Sequence, residues 1–278
     1  MKVTLWGTRG SIASPGPDTL RYGGNTTCVS VQGSDGTLLV LDAGTGIRNL
    51  SQTLSPVLQR VHILLTHLHM DHIEGLPFFS PLNNPGVSVT IFGPASTTLS
   101  LKARLMRYLS PPLFPVSVRE LLSDLRFYEL PSVTIEIGEF SVTSQLVMHY
   151  NPTLGYRIQG PNATLTFLPD HNPALGVESF PTSKDWTSGY DLAEGADLLI
   201  HDAQYTDEEY QARIGFGHSS MSNAFRFAEL AGVKQFVPFH HDPTHSDDML
   251  DRTFEDVCEV MAPQFDVTPA KERMIFEL

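Results

Sequence analysis

The chain is short of cysteine, of positive charge and of long apolar runs, and each shortage closes off a class of protein. Cys28 and Cys258 are the only 2 cysteines in 278 residues, and they lie far apart with no Cys-x-x-Cys spacing. Neither a disulfide framework nor a thiolate zinc site is therefore expected, and both read as small residues in or near the core. No stretch reaches the roughly 18 apolar residues of a membrane span. Met1 to Trp6 enters a strand pattern without the basic-then-apolar layout of a signal peptide, so a soluble, cytoplasmic protein is expected. Lys and Arg number 18 against 31 Asp and Glu, a net charge of -13. A surface that embraces long nucleic acid needs clustered basic side chains, so long nucleic acid is not the expected partner. A small phosphorylated molecule fits better, because bound metal ions supply positive charge locally. With 41% hydrophobic residues the chain has ample material for a core, and one domain over residues 1–278 is expected.

What the chain does have is a cluster of imidazoles. Thr66-His67-Leu68-His69-Met70-Asp71-His72 follows Val61 to Leu65, an apolar run that reads as a buried strand. Side chains two apart in extended chain point the same way, so His67 and His69 can converge on one ion as the strand ends. Asp71 and His72 come where the chain turns away and can face a second ion. The plain alternative, four polar residues in an exposed loop, leaves the pattern unexplained.

Around this stretch the chain alternates strands and helices. Strands are expected at 2–7, 26–32, 37–42, 61–65, 87–93, 127–130, 133–137, 140–147, 153–158, 163–168, 197–200 and 234–239. Helical patterns cover about 46–53, 95–109, 118–125, 185–193, 207–213, 222–231 and 246–260, the last with Ser246 as its cap. The Gly-, Pro- and Ser-rich segment from Thr8 to Asn25 is a loop long enough to be functional. Asp42-Ala43-Gly44-Thr45-Gly46 closes a strand, with Asp42 placed to hydrogen-bond the far side of a ligand histidine. Strands with helices after several of them fit two packed sheets flanked by helices, an α/β (α+β) class.

Thr66 to His72 resembles the metal-binding signature of the metallo-β-lactamase superfamily, and the resemblance extends from Thr4 to about Asp248. It implies the four-layer αββα sandwich with a site at the sheet edge. His149, at the end of Gln145 to Met148 and seven before Tyr156, resembles the second metal-binding segment of the phosphodiesterase-like branch. Tyr150-Asn151-Pro152 stands where that branch has a glycine-rich turn. Thr164 to Asp170 resembles the strand that delivers the bridging carboxylate, and Val237 to His240 the strand bearing the last ligand, with His241 as the register alternative. The implied division is His67, His69 and His149 on one ion, Asp71, His72 and His240 on the other, and Asp170 shared. The donors are nitrogen and oxygen only, which suits Zn²⁺ and also Mn²⁺ or Fe. His62, His171 and His245 have no place in this scheme.

Leu198 to Ala203 and Gly217 to Ser220 resemble the two catalytic segments that tRNA 3′-end endonucleases (tRNase Z) share with cyclic-nucleotide phosphodiesterases. There a carboxylate orients a histidine that protonates the leaving oxygen, here Asp202 and His218; the endonucleases usually have Glu at the first position. The expected activity is hydrolysis of a small phosphodiester, such as a cyclic nucleotide, by a hydroxide held between two metals and positioned by Asp71. The alternatives are RNA 3′-end processing of the tRNase Z type, hydrolysis of a lactone, β-lactam or thioester, and noncatalytic nucleotide sensing. A homodimer is compatible with the sequence.

Overall fold

The structure, a computed structural model, describes residues 1–173, 180–181 and 183–278. Its strands fall into two seven-stranded sheets that divide the chain nearly in half. The first half supplies β1 (Lys2–Gly7), β2 (Cys28–Gln32), β3 (Leu38–Leu41), β4 (Arg60–Leu64), β5 (Ser88–Pro94) and β6 (Asp124–Leu130). The second supplies β7 (Val133–Ile137), β8 (Phe140–Val147), β9 (Thr153–Gln159), β10 (Thr164–Leu168), β11 (Leu198–Asp202), β12 (Gln235–Phe239) and the short β13 (Asp266–Val267). The last strand, β14 (Ile275–Glu277), returns to the first sheet and pairs with β1.

Each sheet is antiparallel on one side and parallel on the other. β3, β4, β5 and β6 are parallel neighbours, as are β10, β11, β12 and β13. Parallel pairs need long crossovers, and these carry the helices. They are α1 (Ile47–Ser51), α2 (Met70–Ile73), α3 (Leu101–Leu105), α4 (Tyr190–Ala193), α5 (Asp207–Gln211), α6 (Met221–Ala231) and α7 (Asp247–Met261). Strands covered on both faces must be apolar throughout, which is why Leu38–Leu41 and Leu198–Ile200 read as unbroken runs. The period of two then sorts them by layer. Leu39 and Leu41 join Leu198 and Ile200 between the sheets; Leu38 and Val40 face α1, and Leu199 faces α6. The result is the expected αββα sandwich.

Three helical expectations are corrected: 185–193 breaks into a 3-10 turn, Lys184–Trp186, and the single turn of α4, and two others depart as follows. The segment 95–109 is helical only over Leu101–Leu105, because Ser100 caps it by accepting from the Ala103 N–H at 3.2 Å, and Ser96 and Thr98 bond one another upstream. The segment 118–125 makes one 3-10 turn, Val118–Glu120, closed by a Ser117/Glu120 capping box. From Asp124 it is already β6, drawn out by the open edge of β5. The strands β13 and β14 are too short to carry a periodic signal.

All the parallel strands run toward one edge of the sandwich. Asp42 follows β3, Thr66 to His72 follow β4, Asp170 follows β10, Asp202 ends β11 and His240 follows β12. Carboxyl ends of parallel strands are where α/β sheets place ligands.

Candidate metal centre

Asp170 stands at the middle of the cluster with its two oxygens facing different partners. Oδ1 lies 2.9 Å from His72 Nε2 and 3.1 Å from His240 Nε2. Oδ2 lies 3.6 Å from His67 Nε2 and 3.5 Å from His149 Nε2. His67, His69, His149 and Asp170 offer donor atoms all within 4.8 Å of one another, and so do Asp71, His72, Asp170 and His240. Two such sets sharing one carboxylate match the needs of two adjacent ions. A third set, Asp202, His218 and His240, abuts them.

The imidazoles are turned by partners on their far sides. His72 Nδ1 donates to Asp42 Oδ2 at 2.8 Å, and Asp42 also accepts from the Thr66 N–H at 2.7 Å and the Thr66 hydroxyl at 2.8 Å. That commits the Thr66 hydroxyl hydrogen, so His67 Nδ1, 3.0 Å away, donates to its oxygen. His149 Nδ1 donates to the Gly217 carbonyl at 2.8 Å, and His240 Nδ1 to Gln204 Oε1 at 3.1 Å. In every case Nε2 is left aiming inward. His67 Nε2, His72 Nε2 and Asp170 Oδ1 are buried without a hydrogen bond. Orphaned buried groups of this kind are costly unless something binds them, and a divalent cation fits them.

The electrostatics divide the rings. Burial pushes His67 well below its ordinary value, with His72 adding to the effect, and burial also lowers His69 and His149. Neutral imidazoles are the form that ligates. His72 goes the other way: burial opposes its charge, but Asp170, Asp71 and Asp42 outweigh it. Asp170 is held well below the usual carboxylate range, since His240, His72 and His67 overcome its burial.

The sequence left His240 and His241 open, and the backbone separates them. His240 takes a left-handed φ of 61° and enters the cluster. His241 turns away, its Nε2 donating to the Ala270 carbonyl at 2.8 Å and its ring edge-on to Tyr22. His62 lies in β4 and is half-buried, His171 packs on His201, and His245 pairs with Glu209 at 2.9 Å.

Asp202 reaches His218 despite its shorter side chain, with Oδ2 2.6 Å from Nδ1. Its carboxylate also accepts from the backbone N–H groups of Gln204, His171 and Ser219 at 3.0, 3.2 and 3.2 Å, which fixes it in place. The His218 ring stacks on His240 at 5.0 Å and meets His149 edge-on at 4.9 Å. Burial opposes its charge, but Asp202 raises its pKa above the ordinary value. Asp202 therefore favours the charged form of the imidazole that borders the cluster, and is itself locked in place.

Three contacts had no residue-level forecast. The Ser11 N–H donates to Asp71 Oδ2 at 2.7 Å from a backbone with φ of 62°. Gln204 supports His240, and the Gly217 carbonyl supports His149. Gly10 must lack a side chain, because a Cβ there would sit 2.3 Å from the His240 ring. The available signal was positional, since Ser11 and Gly10 lie in the long loop and Gln204 and Gly217 beside the acid pair.

The fold and these donors define a metal-dependent hydrolase, and the chain belongs to the beta-lactamase superfamily, whose domain it matches over residues 37–241. Among its relatives, ribonuclease Z of Staphylococcus epidermidis is 23% identical, over 86% of this chain and 88% of its own. Two solved structures share the fold. The metallo-beta-lactamase fold protein YhfI of Bacillus subtilis has a TM-score of 0.70 at 19% identity, over 100% of this chain and 98% of its own. Human tRNase Z, short form, has 0.69 at 22%, over 100% and 99%.

Proposed function

We propose that this protein hydrolyses phosphodiesters, with His218 protonating the leaving oxygen. The observation that carries this reading is the 2.6 Å contact of His218 with a buried, four-donor Asp202 at the rim of the cluster. Hydrolysis of a lactone or β-lactam has no need of a second acid built in this way.

In this reading residues 1–278 act as one domain; His67, His69 and His149 hold one divalent ion, Asp71, His72 and His240 the other, and Asp170 both. Zinc suits the nitrogen and oxygen donors, as do manganese and iron. Such ions, when bound, grip phosphate oxygens and acidify water. Asp71, tethered by the Ser11 N–H, orients the attacking water. As the bond from water to phosphorus forms and the ester P–O bond breaks, the Nε2 proton of His218 passes to the departing alkoxide, and Asp202 stabilises the charged ring beforehand.

Two substrate sizes have support. The ribonuclease Z relative favours an RNA 3′ end and moves that alternative ahead of a cyclic nucleotide. The net charge of -13 favours a small diester.

His218→Ala is expected to keep its metal while losing about 10²- to 10⁴-fold in rate on a diester with an alkoxide leaving group. On a nitrophenyl ester, whose leaving anion is stable, the loss is expected to be much smaller. Equal losses on both, or loss of metal, would remove the acid role. Precursor tRNA and cyclic nucleotides compared on one zinc-loaded sample at two salt concentrations decide the size. A long RNA substrate is expected to show a steep loss with salt, and a small diester a shallow one.

A further inference from the structure

Leu68, Met70 and Ile73 interleave with the clustered residues of the β4 end, and they form one wall of a trough of about 610 Å³. Arg104, Arg107, Tyr108 and Leu113, from α3 and the turns after it, form the other. That volume is in the range of small-molecule sites, roughly 300 to 1,000 Å³. Met70 joins His69 directly to Asp71, so the trough begins one residue from the centre.

The polar groups of the walls are nearly all committed. Tyr108 donates its hydroxyl to the Glu74 carbonyl at 2.7 Å and so presents its ring. Arg104 is held by Glu129 at 3.0 Å and by the Pro94 carbonyl. The Arg107 side chain has no hydrogen-bond or ion-pair partner among the described residues, and no carboxylate lines the trough. Met70 is 50% and Leu113 69% exposed, large apolar surfaces left open at the mouth. A free guanidinium, a tyrosine ring and a thioether over aliphatic walls are complementary to a planar aromatic group, which takes cation–π, stacking and sulfur contacts together. A polyanion would find a single cation here.

We propose that this trough is the subsite for an aromatic ester group of the substrate, a ring of phenyl or nucleobase size carried by the phosphorus and reaching over Met70 to lie against Arg107. The proposal rests on the phosphodiester reading, and its test separates the two. With the full-length, zinc-loaded protein, the methyl, cyclohexyl and phenyl esters of p-nitrophenyl phosphate share one leaving group. The phenyl ester is expected to exceed the methyl ester in kcat/KM by about tenfold or more, and to exceed the cyclohexyl ester. Leu113→Asp and Arg107→Glu are expected to bring the phenyl-to-methyl ratio to within about twofold of one. Calorimetric binding of phenylphosphonate against methylphosphonate gives a readout free of turnover, and the same preference and the same loss in Leu113→Asp are expected. If no diester is hydrolysed but this binding preference holds, the subsite stands and the phosphodiester reading falls. Hydrolysis or binding without preference for the ring, or a cyclohexyl ester as good as phenyl, overturns the subsite. So does a Leu113→Asp variant that only turns a dimer into a monomer, which would make the trough an interface between copies.

Discussion

At the residue scale, one carboxylate is asked to do what no imidazole in the cluster can. Asp170 has an oxygen for each side, and Asp170→Asn keeps the shape while halving its acceptor capacity. Metal content measured after purification without chelator is expected to fall from near two ions per chain to one or fewer, with activity falling alongside. An unchanged metal content would remove Asp170 from the bridge. A second residue, His201, reports on stability. Its Nδ1 donates to the Asp202 carbonyl and its Nε2 accepts from His171, so the buried ring has no place for a further proton. Burial pushes it down to about 4, against an unfolded value of about 6.5. The unfolded chain therefore binds the extra proton in that window. The stabilisation from the neutral ring is full above about pH 6.5 and lost as pH falls toward 4, up to about 3 kcal/mol. Urea unfolding of metal-free protein across this range is expected to show a slope shallower by close to one proton in His201→Gln, and an unchanged slope would contradict the assignment.

At the scale of elements, the loop that begins at Thr8 reaches Asp71 through its backbone. Ser11 sits in the left-handed region where glycine is at ease, so Ser11→Gly keeps the N–H on Asp71 and relieves strain. Ser11→Pro fixes a negative φ and deletes the donor. The glycine variant is expected to stay within about threefold of the parent rate, and the proline variant to lose tenfold or more, because supporting hydrogen bonds of this kind carry about 10- to 100-fold effects. Equal rates would make the loop a bystander. This difference also explains what was legible in the sequence. His67, His69, Asp71 and His72 are neighbours in the chain, and strand alternation alone converges the first two. Their grouping with His149, Asp170 and His240 came from family resemblance, since those positions are brought together by sheet topology. Ser11 reaches Asp71, and Gly217 reaches His149, through main-chain atoms, which leave little trace in residue type. The helices expected at 95–109 and 118–125 failed for a related reason, because local pattern could not register the Ser100 cap or the pull of the β5 edge.

For the molecule as a whole, the two sheets meet at the site edge through a short backbone stitch. The Gly10 N–H donates to the His241 carbonyl and the His241 N–H to the Thr8 carbonyl, both at 3.0 Å, joining the segment after β1 to the segment after β12. Around it, Arg9 is fully buried and reaches the carbonyls of Gly23, Asp242 and His245 at 2.9, 3.1 and 2.7 Å. This stitch turns two amides into clocks for the parting of the halves. Solvent deuterium can enter at Gly10 and His241 only when the sandwich gapes, so both are expected to exchange together, at the slow rate of the β11 and β12 amides. Adding metal should slow them further, because ligands from both sheets then close over the same seam. If these two amides exchanged as fast as a surface turn such as Gly33 to Gly36, the halves would be breathing apart in the folded state, and the centre would be remade each time they closed.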